Sequence, residues 1–249
     1  MAAFRKLALV TGGNRGIGFE TVRQLAQQGV TVYLGARQLT SAQEAVGKLA
    51  AEGLKEVHPI QLDVTKSSDR TAVAQQIEKQ FGRLDILINN AAAIPREATL
   101  LDKLTIDTSE EELQETFQTN LFAVLHLTHD LLPLLRKSEG GRIVNLSSTL
   151  GSLTLHEQNV PEVAYTKRFA YNASKAALNM FTIHLAQELS DTKIKVNSIH
   201  PGWVKTELGT EYAPMEISDG AKTSVEAALL GDDGPTGKFF RQGEVTVPW

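Results

Sequence analysis

The chain has 249 residues, a formal net charge of −4 and no cysteine. That length suits one large α/β domain able to bury its apolar surface without staples, and a single dinucleotide-binding catalytic domain over residues 1–249 is expected. The composition excludes disulfides, thiolate metal sites and cysteine nucleophiles, and no histidine pattern has metal-ligand spacing, so no metal is expected. Without a basic run, nucleic acid is a poor partner, and no apolar stretch approaches the ~20 residues of a membrane span. The first residues, Met1-Ala2-Ala3-Phe4-Arg5-Lys6, run straight into a predicted strand. No leader segment is therefore expected, and the absence of cysteine fits a reducing, cytoplasmic setting.

Short β-rich runs alternate with longer helical patterns. The predicted strands are 7–10, 30–35, 57–62, 84–88, 142–147 and 194–200, with a late one near 238–242. The predicted helices are roughly 17–28, 41–52, 68–81, 110–136 and 172–189. This alternation predicts β-α units with right-handed crossovers, and so a doubly wound parallel sheet of about seven strands with helices on both faces.

The first predicted strand ends in Thr11-Gly12-Gly13-Asn14-Arg15-Gly16-Ile17-Gly18. Glycines at 12, 16 and 18 allow a tight turn and a close backbone approach to phosphate. The helix starting near Ile17 aims free N–H groups and its positive dipole end at such an anion. A strand before the turn and a helix after it are the context in which this pattern binds a dinucleotide.

The end of the second strand bears on which dinucleotide. An acid there bonds the ribose 2′-hydroxyl of NAD, whereas an arginine suits the 2′-phosphate of NADP. Here the sequence reads Gly35-Ala36-Arg37, with no acid before Glu44. Arg15, inside the turn, supplies a second guanidinium for the same phosphate. The expected cofactor is NADP(H); the plainer alternative makes Arg37 a solvated loop residue.

Ser109 and Glu112 form a capping box that starts the helix predicted over 110–136. Leu113, Phe117, Leu121, Val124 and Leu131 give that helix a core-facing stripe. Asn120 lies beside the stripe, where a buried amide is either a structural bridge or part of a site. At the end of the strand 142–147 stand Ser147 and Ser148, whose side chains point to opposite faces.

Tyr171-Asn172-Ala173-Ser174-Lys175 places a phenol and an ammonium on one face of a helix. A phenol titrates near 10. A nearby ammonium should lower that value and fit Tyr171 to donate a proton to a carbonyl oxygen, or to accept one from an alcohol. Tyr165 has Phe169, not lysine, four residues on and is read as a decoy.

Taken in order, these motifs resemble the short-chain dehydrogenase/reductase family in its compact form. The resemblance rests on Thr11–Gly18, Asp63-Val64, Asn89-Asn90-Ala91-Ala92, Asn120, Asn145-Leu146-Ser147-Ser148, the Tyr171/Lys175 pair and Pro201-Gly202-Trp203-Val204-Lys205-Thr206. It implies a Rossmann-type fold. Within the family the chain looks most like NADPH-dependent carbonyl reductases, on Gly13-Asn14-Arg15, Ala36-Arg37 and the closing stretch Gly234–Phe240 and Pro248-Trp249.

The resemblance implies a catalytic set of Asn120, Ser148, Tyr171 and Lys175. Ser148, favoured over Ser147 by the family pattern, would hold the substrate oxygen. Lys175 would also bond the nicotinamide ribose, and Asn120 would hold a water continuing the proton relay. The cofactor-binding set it implies is Gly12, Asn14, Arg15, Gly16, Ile17, Gly18, Arg37, Asp63, Val64, Asn90, Ala91, Tyr171, Lys175, Pro201, Gly202, Val204 and Thr206. Asp63 would bond the adenine, unless it is only a turn residue. Thr206 would touch the nicotinamide amide, unless it only caps the next segment. The partner is a small carbonyl or alcohol substrate, and the family leans toward a homo-oligomer over a monomer.

Two departures stand out. Ala92 replaces the family's usual glycine, which strains the chain only if φ must be positive there. Tyr171 lies 23 positions after Ser148, a longer spacing than the compact pattern. The extra residues, about 153–167, are expected to form a loop. Together with a mobile stretch over 207–220, the segment 149–167 is expected to wall the substrate pocket. His156 in that loop either lines the pocket or, the plainer reading, is a solvated loop histidine.

Overall fold

A computed structural model describes residues 5–94, 104–164, 166, 168–207 and 209–249. The strands are β1 (Leu7–Thr11), β2 (Thr31–Ala36), β3 (Val57–Gln61), β4 (Ile86–Asn89), β5 (Arg142–Leu146), β6 (Lys195–Ile199), β7 (Lys238–Arg241) and β8 (Val245–Thr246). They form one sheet in the order β3-β2-β1-β4-β5-β6-β7-β8. All pairings are parallel except the last, where β8 runs antiparallel to β7. The seven expected strands are present, and the short eighth was not anticipated. Two residues carry too little pattern to read as a strand.

The helices are α1 (Gly16–Gln27), α2 (Leu39–Ala51), α3 (Ser67–Phe81), α4 (Glu110–Phe117), α5 (Ala123–Leu135), α6 (Leu153–Glu157), α7 (Pro161–Ala164), α8 (Phe169–Glu188) and α9 (Ile217–Ala228). Two buried apolar clusters lie on the sheet's opposite faces. One takes Leu9, Leu87 and Ile143 from the strands and Leu127, Leu131 and Leu185 from α5 and α8. The other takes Val10, Ile88 and Val144 from the strands and Val22, Leu25 and Leu49 from α1 and α2. Alternate side chains along each strand feed alternate faces, which explains why β1, β2, β4 and β5 are buried along their whole length.

Three expectations are corrected. The helix expected over 110–136 is interrupted by a π-helical segment, Gln118–Phe122, that carries Asn120. The loop expected over 153–167 is largely α6 and α7, so the insertion is folded and not merely a tether. The stretch 207–220 is not uniformly a mobile lid. Its last residues begin α9, which packs along α1, and Val204 bridges to Met215 in parallel fashion. Polar character and a proline led to the lid reading. The helix follows from Ala221, Ala227 and Ala228, small residues that permit close packing on α1.

The strand order reverses between β1 and β4, which lie side by side while their outgoing connections run to opposite ends of the sheet. The crevice beyond the carboxyl ends of such strands is where doubly wound sheets bind ligands. Every site residue predicted above lies at that edge of the sheet or on a helix leading away from it.

Candidate active site

The glycine turn leaves β1 with Gly12 at φ +63° and Gly16 at φ +56°, backbone that L side chains rarely adopt. Gly18 meets a different constraint: a Cβ there would lie 2.3 Å from the Gly12 carbonyl and 2.4 Å from Asn90 Nδ2. Asn14, Arg15 and Ile17 complete the turn and open α1. This helix has no side-chain cap and no acid in its first turn. Among the described residues, its first N–H groups therefore have no side-chain acceptor. That donor set fits an anionic pyrophosphate.

Neighbouring strands hold the turn. Thr11 Oγ1 accepts from the Asn90 and Ala91 amides, both at 3.0 Å, and donates to the Ile88 carbonyl at 3.3 Å. Asn90 Nδ2 donates to the carbonyls of Thr11 and Gly12 at 2.8 and 3.1 Å. The Asn90 side chain thus fixes the cradle from beneath. Ala92 is not among the residues of positive φ, so it carries no left-handed strain.

Arg37 lies just past β2, exposed, and makes no ion pair or side-chain hydrogen bond among the described residues. Arg15 differs: its guanidinium is paired with Glu207, and both side chains are largely exposed. Asp63 follows β3, where Oδ1 accepts from the Thr65 amide and hydroxyl at 3.1 and 2.7 Å. That is the turn role that competed with an adenine contact. Val64, next to it, is buried, and its carbonyl accepts from Arg70.

The segment after β6 closes the crevice from the other side. Gly202 has φ +92°. The Thr206 methyl lies 3.6 Å from where a Gly16 Cβ would stand, so Pro201–Thr206 and the glycine turn face each other. Thr206 Oγ1 accepts from the Gly209 amide at 3.0 Å, a capping contact of the kind weighed above.

Ser148, Tyr171 and Lys175 come together. The Ser148 hydroxyl accepts from the Leu150 amide at 3.2 Å and opposes the rise of the Tyr171 phenol. Ser147 is buried, and among the described residues its hydroxyl has no partner. Lys175 is 3% exposed; its Nζ donates to the Leu146 carbonyl at 2.6 Å and lies 5.5 Å from the Tyr171 ring centre. Burial pulls the Lys175 ammonium down to about 8. The same loss of water pushes the Tyr171 phenol up to about 12, opposed by the Ser148 hydrogen bond and by the charge of Arg168. In the protein alone, burial outweighs the lowering of the phenol expected from a neighbouring ammonium. Its ammonium is engaged with a backbone carbonyl and is itself partly desolvated.

Asn120 is 1% exposed. Its Oδ1 accepts from the Ala93 amide at 2.8 Å, and its Nδ2 donates to the Ala93 carbonyl at 3.0 Å and to Ser174 Oγ at 3.1 Å. It ties the chain after β4 to α8 and so occupies the bridging role. Sequence reasoning missed a related chain of bonds. Asn89 donates to Asn145 at 2.8 Å, Asn145 donates to Thr182 at 2.9 Å, and Thr182 shares a hydrogen bond with Ser198 at 2.8 Å. The signal was present, because these polar residues interrupt apolar strands, but only the strand register places them side by side.

A cavity of about 270 Å³ lies beyond the end of β6. Glu162 of the inserted segment and Met215 of the 207–220 stretch both line it, with His200, Gly202, Trp203 and Arg241. The two expected walls therefore meet there, although neither Ser148 nor Tyr171 reaches the lining. His200 links the two places, since its Nδ1 accepts from the Thr149 amide at 3.3 Å. Burial, assisted by Arg241, pulls the His200 imidazole down to about 4. His156 is not a solvated loop residue; it sits on α6 with Nε2 3.0 Å from the Leu150 carbonyl. Tyr165 lies outside the described residues.

The short chain dehydrogenase family model matches residues 6–217. Carbonyl reductase (NADPH) 1 of Sus scrofa is 34% identical over all of this chain and 96% of its own length. Salutaridine reductase of Papaver bracteatum is 34% identical over 97% of this chain and 96% of its own length. The solved structure of an NADPH-bound carbonyl reductase from chicken fatty liver superimposes with a TM-score of 0.84 at 27% identity, over 98% of this chain and 99% of that one. The chain belongs to the short-chain dehydrogenase/reductase family and is an oxidoreductase of that family, similar to its carbonyl reductases. Members of the family use a nicotinamide dinucleotide. Among the described residues no helix is long and apolar enough to cross a membrane, and no cluster of His, Cys, Asp or Glu could hold a metal ion.

Proposed function

We propose that this protein is an NADPH-dependent carbonyl reductase that converts a ketone or aldehyde to an alcohol. The observation that carries the reading is the Tyr171/Lys175 pair, with the ammonium 5.5 Å from the phenol ring centre, at the sheet edge that also holds the glycine cradle. When bound, NADPH supplies the hydride. Gly12, Asn14, Arg15, Gly16, Ile17 and Gly18 would receive its pyrophosphate. Arg37, exposed and unpaired, would take the 2′-phosphate, and Asp63, Val64, Asn90, Ala91, Pro201, Gly202, Val204 and Thr206 would frame the rest.

Ser148 would donate to the substrate oxygen while negative charge grows there, and Tyr171 would deliver the proton. A phenol held near 12 stays protonated throughout the neutral range, which suits a donor in the reductive direction. One Lys175 proton is committed to Leu146, which leaves two for the ribose and the Tyr171 oxygen. Asn120 would serve by fixing the chain after β4 against α8, with any bound water held at the same place.

Two relatives whose names identify them as reductases support the reductive direction. The test is NADPH oxidation by the purified protein with a panel of ketones and aldehydes. Turnover with several of them, and at least tenfold preference for NADPH over NADH, is expected. Tight NADPH binding with no turnover across the panel would mark a dinucleotide-binding protein instead, and turnover of alcohols alone would reverse the direction.

A further inference from the structure

We propose that the cavity beyond β6 is a carboxylate-binding subsite, in which Arg241 and His200 hold an acid group carried by the carbonyl substrate and Glu162 competes for the same place. The His200 amide donates to the Phe240 carbonyl at 2.9 Å, so the end of β6 carries His200 beside the end of β7 that carries Arg241. His200 is only 9% exposed. A backbone amide can only donate, so the bond from Thr149 at 3.3 Å leaves Nδ1 without a hydrogen and puts the imidazole hydrogen on Nε2. Nε2 lies 3.9 Å from Glu162 Oε1, beyond hydrogen-bond reach. Among the described residues this N–H has no hydrogen-bond partner. A buried donor that opens on a cavity is costly unless something accepts from it.

The other walls fit the same ligand. Arg241 is exposed and makes no ion pair or side-chain hydrogen bond among the described residues, yet its charge is felt at the imidazole. The fully buried Thr223 hydroxyl has no partner among the described residues and belongs to the same lining. Three donors therefore line one cavity with a single acid, Glu162. That side chain is 47% exposed and stands on the four-residue α7, so it can turn to solvent and yield its place. Trp203, pinned by its Nε1 bond to the Gly209 carbonyl at 2.6 Å, and Met215 give an apolar wall for the organic part of a ligand. A carboxylate suits the donors because its two oxygens accept from the imidazole N–H and the guanidinium together. A doubly charged phosphate would meet Glu162 with only one cation to offset it. The Thr149 amide that fixes His200 directly follows Ser148, so the subsite adjoins the hydroxyl assigned to the substrate oxygen. A molecule with a ketone and a carboxylate a few bonds apart engages both.

The inference rests on the reductase reading of the neighbouring site, so binding is measured apart from turnover. Calorimetric titration of the purified protein compares phenylacetate with phenylacetamide, its uncharged counterpart. Phenylacetate should bind about fivefold more tightly or better. Arg241→Met should remove that preference, Arg241→Lys should keep part of it, and Glu162→Gln should tighten phenylacetate severalfold by taking away the competing carboxylate. Turnover with NADPH then compares levulinate and longer methyl keto acids, each beside its methyl ester. Arg241→Met should raise the KM of at least one keto acid about fivefold while its kcat and the KM of the ester hold. Equal binding of acid and amide overturns the inference, as does an acid preference that Arg241→Met leaves intact. A preference in binding with none between keto acids and esters in KM would part the cavity from the reacting centre and overturn it too. Carboxylate binding that Arg241→Met abolishes, with no turnover of any ketone, would remove the reductase reading and leave the carboxylate site standing.

Discussion

At the scale of single residues, the two serines after β5 show how one position decides a role. The Ser148 hydroxyl accepts from the Leu150 amide and acts on the Tyr171 phenol, while among the described residues the buried Ser147 hydroxyl has no partner. Ser148→Ala should cut ketone reduction by two or more orders of magnitude. Ser147→Ala should leave rate intact and stabilise the fold by about 0.5–1 kcal/mol, since it removes a desolvated hydroxyl without a partner; parallel kinetics and thermal melts check both. Lys175 gives a pH-dependent case. Its folded pKa of about 8 lies below the value of about 10.5 expected when unfolded, so the unfolded chain binds more protons between those limits. Stability attributable to this residue should therefore rise as pH climbs from 8 to 10.5, and below pH 8 the buried ammonium is a fixed penalty. Lys175→Met should abolish turnover yet raise stability at pH 7 by about 1–2 kcal/mol after the lost Leu146 hydrogen bond is deducted, with the gain fading above pH 8 in denaturant titrations. The general place of these residues was legible in the sequence, because Tyr171 and Lys175 sit at helical spacing and the serines end an apolar run. The direction of the Lys175 bond was not legible, because it depends on which backbone carbonyl lies nearby after folding.

At the scale of elements, the cradle is a joint product of three strand ends. β1 supplies the turn, β4 braces it through Asn90, and the segment after β6 closes over it through Thr206. The Arg15–Glu207 pair joins the first of these to the last across the crevice. Glu207 neutralises a guanidinium that would otherwise face the cofactor's phosphates. Glu207→Gln should lower the Kd for NADPH by about two- to fivefold, an effect that fades in high salt because both side chains are exposed; fluorescence titration at two ionic strengths measures it. Arg37→Ala should weaken NADPH by roughly 1.5–3 kcal/mol and leave NADH nearly unchanged, and equal losses for both would remove the 2′-phosphate assignment. The helices and strands themselves were readable to within a residue or two at most ends, because strand periodicity and caps are local signals. α9 was not, because its helical face is defined by α1 and not by its own polar sequence. α6 and α7 were too short to show a period at all.

At the scale of the whole molecule, the closing residues fasten the inserted helices to the sheet. The Trp249 ring stacks on Phe239 of β7 with centres 5.6 Å apart, and its carbonyl accepts from the Thr154 amide of α6 at 2.8 Å. Trp249→Ala should loosen the insertion and raise the KM for large ketones severalfold while NADPH affinity holds, because the glycine turn leaves β1, four strands away from β7. The doubly wound sheet was foreseeable from the alternation of strands and helices. The internal phase of the long helical stretch after β4 was not: it is continuous in its apolar stripe, yet it carries a π segment around Asn120. A π segment holds one residue more than regular α-helix would in the same span. The chain therefore keeps a register that is locally unfavourable, and a shorter, smoother solution lies one codon away. Deleting Thr119 should let α4 and α5 fuse into one regular helix of equal or greater stability. The shift would turn residues up to Gln118 by about 100° relative to those that follow, and Asn120 could no longer meet Ala93 and Ser174 together. The surplus residue is thus what lets one side chain, Asn120, tie the chain after β4 to α8.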